Sequence, residues 1–458
     1  MTDVRTTRSD EPVRTTYDAV ELTEQGTPRR GFDAATALTV YVALLILIPS
    51  DRVVPGLGNL GAPAVLWGFA CFLWWVWHVL SRRESDRLRR PSPVTIAALA
   101  FVGTVLLSYV FAMLRAVPAD EVLPADRGLL RMISFLGVVL VAADGIRSFS
   151  RLIVLLKRIV VLAGFVALVG VLEFATDTPI GNAITIPGLS GSGDASLQVR
   201  GEFVRPTATA AHALEYATML SVAFPIALML ALRSRGRTRA TMFVCAALIG
   251  MALLLAGSRS AILGLVIGVI PLLAVLGGRE RLMALFGGIA AVVAVYVTVP
   301  GMLGTLRNMF QSAGSDTSVL SRTESLDVFG MLLPVSPWVG RGLGTLLPRY
   351  QIFDNQFLLL VLELGVIGAL GFVALYAVAI VCVAACRTAP PTIAGIAAAL
   401  AAGCLVAVSL SAFFDSFSFP KAFGLLALAP GLCAAVWGIA QSLPAQFSRP
   451  GVPESRIS

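Results

Sequence analysis

The chain has 458 residues, of which 57% are apolar and only 14% are charged, and its mean hydropathy is +0.84. Because a water-soluble domain carries about 25% charged residues, this composition excludes a soluble enzyme, a disordered chain, a collagen and a secreted disulfide scaffold. The net charge of +8 comes from short basic clusters between apolar runs, a pattern typical of cytoplasmic loops, and it indicates no nucleic-acid partner.

Twelve apolar stretches are long enough to cross a membrane, since a spanning helix needs roughly 20 apolar residues. We therefore predict an all-α polytopic membrane protein with about twelve transmembrane helices within residues 33–441. The stretches lie at 33–49, 61–81, 94–114, 128–144, 158–175, 212–232, 239–257, 260–277, 282–299, 355–385, 391–413 and 422–441. The stretch at 355–385 is too long for one straight span, so we expect it to tilt, to project from the bilayer or to kink near Gly365 or Gly368.

The two ends of the chain are polar, and we predict that both are cytoplasmic tails. Residues 1–32 contain no apolar core of a signal peptide, so they are expected to be disordered and the first span must serve as the export signal. Residues 442–458 form the second tail. With both termini inside, 23 of the 35 basic residues fall in cytoplasmic segments, as the positive-inside rule requires. Two long segments, 176–211 and 300–354, are then external.

The sequence contains no motif for a metal, a nucleotide or a redox cofactor. Its six cysteines lie within or at the ends of apolar runs and lack metal-ligand spacing, so we expect small core residues. The short cytoplasmic segments contain no glycine-rich phosphate loop. We therefore predict neither a metal nor a cofactor, and we expect any chemistry to take place on the external face.

Arginines mark the predicted external face at several places. Arg205 ends the first long external segment, Arg259 opens a span after a short turn, and Arg322 and Arg341 lie in the second long segment. Guanidinium groups bind phosphate through paired hydrogen bonds and stay charged at physiological pH. We interpret the set as a site for an anion at the membrane surface, such as a lipid-linked diphosphate. Anchoring in lipid headgroups is the alternative for any single arginine.

Two stretches of the second long segment predict local structure. Ser321-Arg322-Thr323-Glu324 has the spacing of a capping box, which predicts a helix over 322–333 with Ser321 as its cap. Residues 337–344 read Pro-Trp-Val-Gly-Arg-Gly-Leu-Gly, a turn-rich stretch whose glycines would let the backbone approach a ligand. A loop that rests on lipid headgroups explains the second stretch equally well.

Four further polar residues lie at or near the starts of two spans. Asp354 begins the tenth span, either as a helix cap or as a carboxylate placed to accept a proton from an acceptor hydroxyl. Glu363 lies deeper in that span, where an ionisable group indicates a function or a bond to a neighbouring helix. His212 starts the sixth span and shares a helix face with Glu215. It is either a functional residue or an interfacial histidine that is satisfied by a local partner.

These motifs together resemble the O-antigen ligase and polysaccharide polymerase superfamily over about residues 200–385. The shared features are the Ser-Arg-Ser that opens one span, the Ser-Arg-Thr of the second long segment and the turn-rich stretch 337–344. The family also has a motif of His, then Asn, Ser or Gln, then nine residues and Gly-x-x-Gly. Asn355 and the glycines of 365–368 match this motif, whereas Asp354 stands where the family has His.

The resemblance implies a metal-independent glycan transferase of a bacterial plasma membrane. The donor would be a glycan linked to a polyprenyl diphosphate, and the acceptor a glycan, a lipid or a protein, with membrane lipids around the protein. Arg259 and Arg322 match the arginines that hold and neutralise the departing diphosphate in the family. The segment from Arg205 to the start of the sixth span is a looser match. The general base would be Asp354, or His212 in its place.

With these assignments, we predict that Asp354 and His212 are catalytic. Substrate contacts are predicted for Arg205, Arg259, Arg322, Arg341 and Glu215. Three functions stay open: a ligase that joins a finished glycan to an acceptor, a polymerase that joins repeat units, and a transporter that moves the lipid-linked glycan without bond chemistry. The first two share every residue named here and differ only in the acceptor. We prefer a transferase over a transporter because the charged groups lie at the external rim rather than along the spans.

Overall fold

The computed structural model of the protein describes residues 31–81, 91–191, 198–200, 203–299, 304 and 317–443. The predicted tails lie almost wholly outside the described residues, which begin at residue 31 and end at residue 443. Part of the second long segment, 300–354, lies outside them as well.

The described part of the chain contains thirteen α-helices and one short antiparallel hairpin. The first seven helices are α1 (Ala34–Leu47), α2 (Pro63–Leu80), α3 (Pro93–Met113), α4 (Ala119–Gly145), α5 (Phe149–Thr176), α6 (Ala213–Arg233) and α7 (Gly236–Leu255). The remaining helices are α8 (Arg259–Leu273), α9 (Gly278–Thr298), α10 (Thr317–Leu332), α11 (Gln356–Ala384), α12 (Pro391–Leu410) and α13 (Pro420–Gln441). The hairpin pairs β1 (Gln198–Arg200) with β2 (Phe203–Arg205). Four 3₁₀ turns, Gly58–Gly61, Gly181–Ala183, Leu333–Val335 and Ala385–Thr388, complete the assignment.

Ten of these helices are long and apolar enough to cross a membrane, namely α2 to α7, α9 and α11 to α13. The predicted all-α polytopic membrane fold is therefore confirmed. Two predicted spans, at 33–49 and 260–277, correspond to the shorter apolar helices α1 and α8. The total of twelve spans stays a prediction. A helix as short as α1 or α8 crosses a bilayer only where the bilayer is thinned locally or where flanking residues complete the span.

The interior of the bundle is built around α4, α6 and α13. Helix α13 packs against α4 and α12, and α6 packs against α7, α8 and α12. Small residues allow close approach, since a Cβ atom on Gly137 of α4 would lie 2.4 Å from the carbonyl oxygen of Gly68 in α2. By contrast, α9 contacts mainly α7 and exposes apolar side chains around most of its surface, as a lipid-facing helix does. All six cysteines are free and buried, as expected.

Helices α6, α8, α11 and α13 begin at one end of the bundle, which we call the site face. The backbone N–H of Gln356, at the start of α11, donates to the carbonyl of Ser411 just after α12, at 2.9 Å. The N–H of Lys421, in the first turn of α13, donates to the Glu215 carboxylate in the first turn of α6, at 2.7 Å. Helix α8 runs parallel to α6, because a Cβ atom on Gly264 would meet Ser221 and one on Gly268 would face Pro225, so its first residue lies at the same end. The site face therefore gathers four helix amino termini.

Helix α11 is broken at Gly365, so of the three expectations for this long run the kink is the one that the structure confirms. Gly365 has φ 71° and ψ 179°, a conformation that only glycine adopts readily. The break leaves backbone groups without intrahelical partners, and the segment before the helix supplies new ones. The N–H of Val366 donates to the carbonyl of Pro337 at 2.9 Å, and the N–H of Arg341 donates to the carbonyl of Leu362 at 3.0 Å. The turn-rich stretch is thus inserted into the break of the helix.

One local prediction is wrong. Helix α10 begins at Thr317, so Ser321 lies inside the helix rather than at its cap. Residues 317–321 contain neither glycine nor proline, and the helix therefore extends one turn further towards the amino terminus than the capping-box spacing indicated.

Candidate functional site

Arg205 and Arg259 lie at one place on the site face, the turn between α7 and α8, which we call the mouth. Arg205 ends β2, and its Nε donates to the carbonyl of Ala256 at 3.3 Å. Ala256 caps the end of α7, and Gly257, with φ +54°, turns the chain into α8. Arg259 is the first residue of α8 and is half-buried. The Arg205 guanidinium therefore lies against the turn that carries Arg259, although 54 residues of sequence separate them.

His212 lies beside this arginine pair as the N-cap of α6. Its Nδ1 accepts a hydrogen bond from the backbone N–H of Leu214 at 3.0 Å, and its ring packs against Phe419 with 6.0 Å between ring centroids. Burial, together with the positive charge of Arg205, lowers the pKa of His212 to about 4. The imidazole is therefore neutral at pH 7. Because Nδ1 is an acceptor in the cap, Nε2 carries the proton and can donate a hydrogen bond.

Glu215 does not face the mouth. Its side chain is 0% exposed, and its carboxylate accepts hydrogen bonds from the Ser50 hydroxyl at 2.9 Å, the Ala211 N–H at 2.8 Å and the Lys421 N–H at 2.7 Å. Both oxygens are thus used to hold α6, the segment after α1 and the start of α13 together. The prediction that Glu215 contacts substrate finds no support in these surroundings, and we assign it a structural role.

Asn355, rather than Asp354, caps helix α11. The side-chain oxygen of Asn355 accepts hydrogen bonds from the N–H groups of Phe357 at 2.9 Å and Leu358 at 3.3 Å. Asp354 is half-buried and forms no hydrogen bond or ion pair with any described residue. The helix cap, one of the two roles expected for Asp354, is therefore filled by Asn355, and the role of Asp354 as a general base stays a prediction.

The segment between α12 and α13 connects Asp354 to the His212 side of the site face. The side-chain oxygen of Gln356, two residues after Asp354, accepts a hydrogen bond from the Phe417 N–H at 2.7 Å. Phe419, two residues further on, contacts His212. The start of α11 and the start of α6 therefore both contact this one loop.

That loop carries Asp415, which the sequence analysis did not single out. Asp415 is half-buried and accepts a hydrogen bond from the Ser418 N–H at 3.2 Å, and burial raises the pKa of its carboxyl group. Arg131 of α4 donates to the carbonyl of Phe417 and lies 4.4 Å from the centre of the Phe423 ring. An arginine inside a predicted span was the signal that could have pointed to this region.

Arg322 lies on α10, and its side chain is outside the described residues. The position of the helix is defined by Ser325, about one turn after Arg322. The Ser325 hydroxyl accepts a hydrogen bond from the Gln351 side chain at 3.4 Å. Val328 and Phe329 of the same helix pack against Phe353. Helix α10 therefore lies beside the segment that leads directly into Asp354.

Arg341 is held in an ion-pair cluster at the edge of the site face. Glu121, which is 0% exposed, accepts hydrogen bonds from Arg115 at 3.0 Å, Arg341 at 3.5 Å and the Tyr350 hydroxyl at 2.6 Å. Arg349 stacks on Tyr350, with 4.7 Å from its guanidinium carbon to the ring centre. This cluster anchors the turn-rich stretch, and the role of Arg341 as a substrate contact stays a prediction.

Glu363 also stabilises the turn-rich stretch from inside the helix break. Its side chain is 7% exposed, and one carboxylate oxygen accepts hydrogen bonds from the N–H groups of Gly344 at 2.9 Å and Leu346 at 3.3 Å. The partner of the Glu363 carboxylate is thus the loop before α11 rather than the neighbouring helix that was expected as one of its two roles. In the part of the chain that the structure describes, no group of three or more His, Cys, Asp or Glu side chains is placed to hold a metal ion.

The fold and the site define a polytopic membrane protein with arginines and carboxylates gathered where four helices begin. Residues 244–373 match the family model described as O-antigen ligase, which confirms the resemblance over this region. The match includes Arg259, Arg322, Arg341 and Asp354, whereas Arg205 and His212 precede it. A comparison with curated proteins finds no match. Together with the membrane-spanning helices, the match supports a function of the membrane glycan ligase or polymerase type.

Proposed function

We propose that the protein transfers a glycan from a polyprenyl-diphosphate donor to an acceptor hydroxyl on the extracytoplasmic face of a bacterial plasma membrane. The observation that carries the proposal is the hydrogen bond of Arg205 to Ala256, because it gathers two arginines at one mouth of the bundle. The site face would be extracytoplasmic, with both termini in the cytoplasm. The match of residues 244–373 to the O-antigen ligase model supports this reaction class.

The arginines act on the leaving group in this proposal. As the bond between the anomeric carbon and the diphosphate oxygen breaks, negative charge develops on the diphosphate, and fixed positive charge that faces it lowers the barrier. Arg205 and Arg259 supply this charge, and the amino termini of α6 and α8 add partial positive charge at the same end. We place Arg322 as a third contact from α10. The guanidinium groups would then take the part that a metal ion plays in other transferases, so we expect a metal-independent reaction without a cofactor.

Asp354 is the proposed general base. Its carboxylate accepts the proton of the acceptor hydroxyl, whose oxygen forms the new bond to the anomeric carbon while the diphosphate departs with the electron pair of the broken bond. The surroundings of His212 favour a different role, since its Nδ1 is used in the helix cap. Its Nε2–H would donate a hydrogen bond to a phosphate or sugar oxygen of the donor.

A reaction in detergent tests the arginine roles. Purified full-length protein is given an undecaprenyl-diphosphate-linked glycan and an acceptor, with a chelator present and no nucleotide. We expect turnover in the wild type and a fall of about 100-fold or more in Arg259→Ala and in Arg322→Ala, the usual cost of removing one donor to a developing anion. Arg239→Ala is the matched control, because Arg239 is exposed at the other end of the bundle and stacks on Phe243 of its own helix. Full turnover in both site variants would refute the diphosphate role, and movement of the donor without bond chemistry would indicate a transporter.

The base is tested separately with Asp354→Asn. We expect the rate to fall by a factor of about 100 or more with unchanged thermal stability, because Asn355 keeps the helix cap. If Asp354→Asn turned over at the wild-type rate, the base would be water or another side chain.

Polymerase activity is the second candidate, because it uses the same residues and differs only in the acceptor. When the acceptor is a second lipid-linked repeat unit, a polymerase produces a ladder of chain lengths. A ligase produces a single addition to a lipid or protein acceptor. The product sizes in the same assay therefore separate the two.

A further inference from the structure

Glu173, near the end of α5, holds the segment that carries Arg205. Its side chain is 2% exposed. One carboxylate oxygen accepts the backbone N–H groups of Thr207 at 3.0 Å and Ala208 at 2.6 Å, and the other accepts the N–H of Gly181 at 3.0 Å. One buried carboxylate thus receives three backbone donors from two parts of the segment between α5 and α6.

The chain is forced into a restricted conformation at this point. Ala208 has φ +47°, in the left-handed region that residues with a side chain rarely adopt. A Cβ atom on Gly181 would lie 1.8 Å from the carbonyl oxygen of Ala208, so only glycine allows the backbone at residue 181 to approach the backbone at residue 208 this closely. The hydrogen bonds to Glu173 compensate for this strain, because they satisfy N–H groups that are buried with it.

The held residues adjoin the proposed diphosphate site. Thr207 follows Arg205 and Pro206 directly, and proline restricts the backbone between them. Arg205 in turn reaches Ala256, in the turn before Arg259. A shift of the Thr207–Ala208 backbone would therefore be passed to the Arg205 guanidinium over two residues.

We propose that Glu173 is a positioning residue for Arg205: its buried carboxylate fixes the 205–208 segment and so sets the distance between two arginines that bind a lipid-linked diphosphate. This inference rests on the proposed function, since it assigns Arg205 to the diphosphate. Glu173 itself does not touch the substrate.

The test uses Glu173→Gln, which keeps the size of the side chain. The glutamine amide has one oxygen and one NH₂ group. The NH₂ group cannot accept the hydrogen bonds of the backbone N–H groups that it would face. The probe is undecaprenyl diphosphate, titrated against purified full-length protein in detergent. We expect a Kd about tenfold higher than in the wild type, equivalent to one lost charged hydrogen bond. Glu280→Gln is the matched control, because Glu280 pairs with Arg233 away from the site face and should leave the Kd unchanged.

A double-mutant cycle distinguishes positioning from general damage to the fold. If Glu173 acts through Arg205, then Glu173→Gln in an Arg205→Ala background should raise the Kd no further than Arg205→Ala alone. A wild-type Kd in Glu173→Gln, or effects of the two changes that multiply, would overturn the inference. If Glu173→Gln fails to fold, Glu173→Asp keeps the charge and shortens its reach. It should also weaken binding, and an unchanged Kd in that variant counts equally against the inference. Absence of binding in the wild type would refute the proposed function instead.

Discussion

The two loop segments of the site face are held in place by different physical means. The segment between α5 and α6 is fixed by one buried carboxylate, Glu173, which accepts three backbone N–H groups. The segment before α11 also has a buried carboxylate, Glu363, which accepts two backbone N–H groups, but it is held in addition by backbone hydrogen bonds to a helix broken at Gly365 and by two arginines on Glu121. Each arrangement satisfies polar backbone groups that would otherwise be buried without partners.

This difference indicates which kind of substitution destabilises each segment. A side-chain anchor is lost with a single change of charge, and the backbone can then relax locally. In the helix break, the backbone of the turn-rich stretch contacts the backbone of α11 directly. This contact leaves no room for an added side-chain atom. A Cβ atom on Gly365 would lie 2.1 Å from the carbonyl oxygen of Trp338, and one on Gly340 would lie 2.3 Å from that of Glu363. We therefore expect the largest losses of stability in the segment before α11.

The largest expected effect is that of Gly365→Ala. The substitution places a side chain in a conformation available mainly to glycine and against backbone atoms of the turn-rich stretch. Strain and displacement together should lower the free energy of unfolding by about 4 kcal/mol, which thermal unfolding in detergent would measure. Gly371→Ala in the same helix is the control, because its Cβ would meet only ordinary contacts of 3.4 Å or more. Equal stability of the two variants would mean that the helix is not broken at Gly365.

A smaller loss is expected from Glu121→Gln, which tests the side-chain part of the same anchor. Arg115 and Arg341 would lose their common counter-charge, and the Arg341 side chain is only 15% exposed. Breaking a buried ion pair by removing one partner should cost about 3 kcal/mol. Asp120→Asn is the control on the preceding residue, because its pair with Arg349 is exposed and should show no measurable change. Equal effects of the two substitutions would contradict the anchoring role of Glu121.

The smallest expected effect concerns His212, where the first segment ends. Its pKa in the folded protein is lowered to about 4, below the ordinary value of 6.5, so the unfolded chain binds more protons between those values. Stability should therefore be complete above pH 6.5 and decrease as the pH falls towards 4, by about 1 kcal/mol after allowance for solvent at a half-buried ring. His212→Asn keeps a capping side chain and should remove this part of the pH dependence of thermal unfolding. A wild-type pH dependence in that variant would show that other groups cause it.

Part of this site could be predicted from sequence because it depends on residues that are close in the chain. A kink near Gly365 or Gly368 was one of three expectations for a run too long for one span, and the start of α8 at Arg259 followed from a short turn between two apolar runs. Which of Asp354 and Asn355 caps α11 did not follow, since both residue types cap helices equally well. Only their surroundings show that Asn355 is the cap.

The burial of carboxylates was the feature that sequence reasoning handled least well. Glu215 sits one helical turn after His212 and was expected at the substrate, yet it is directed into the bundle towards Ser50 and Lys421. Glu121 and Glu173 were not considered, although each organises one segment of the site face. Their partners are backbone or arginine groups that lie far away in the chain, so no local spacing reveals them.

The sequence by itself determined that the protein is a bundle of membrane helices and where most of those helices lie, because the length of an apolar run is a local property that the bilayer selects directly. It also showed that arginines border the long segments. Only the tertiary structure decided which arginines share a mouth and which carboxylates support the backbone, because those pairings depend on how helices distant in sequence pack together. The Arg205 contact with Ala256 is one such pairing, and packing of α6, α7 and α8 creates it.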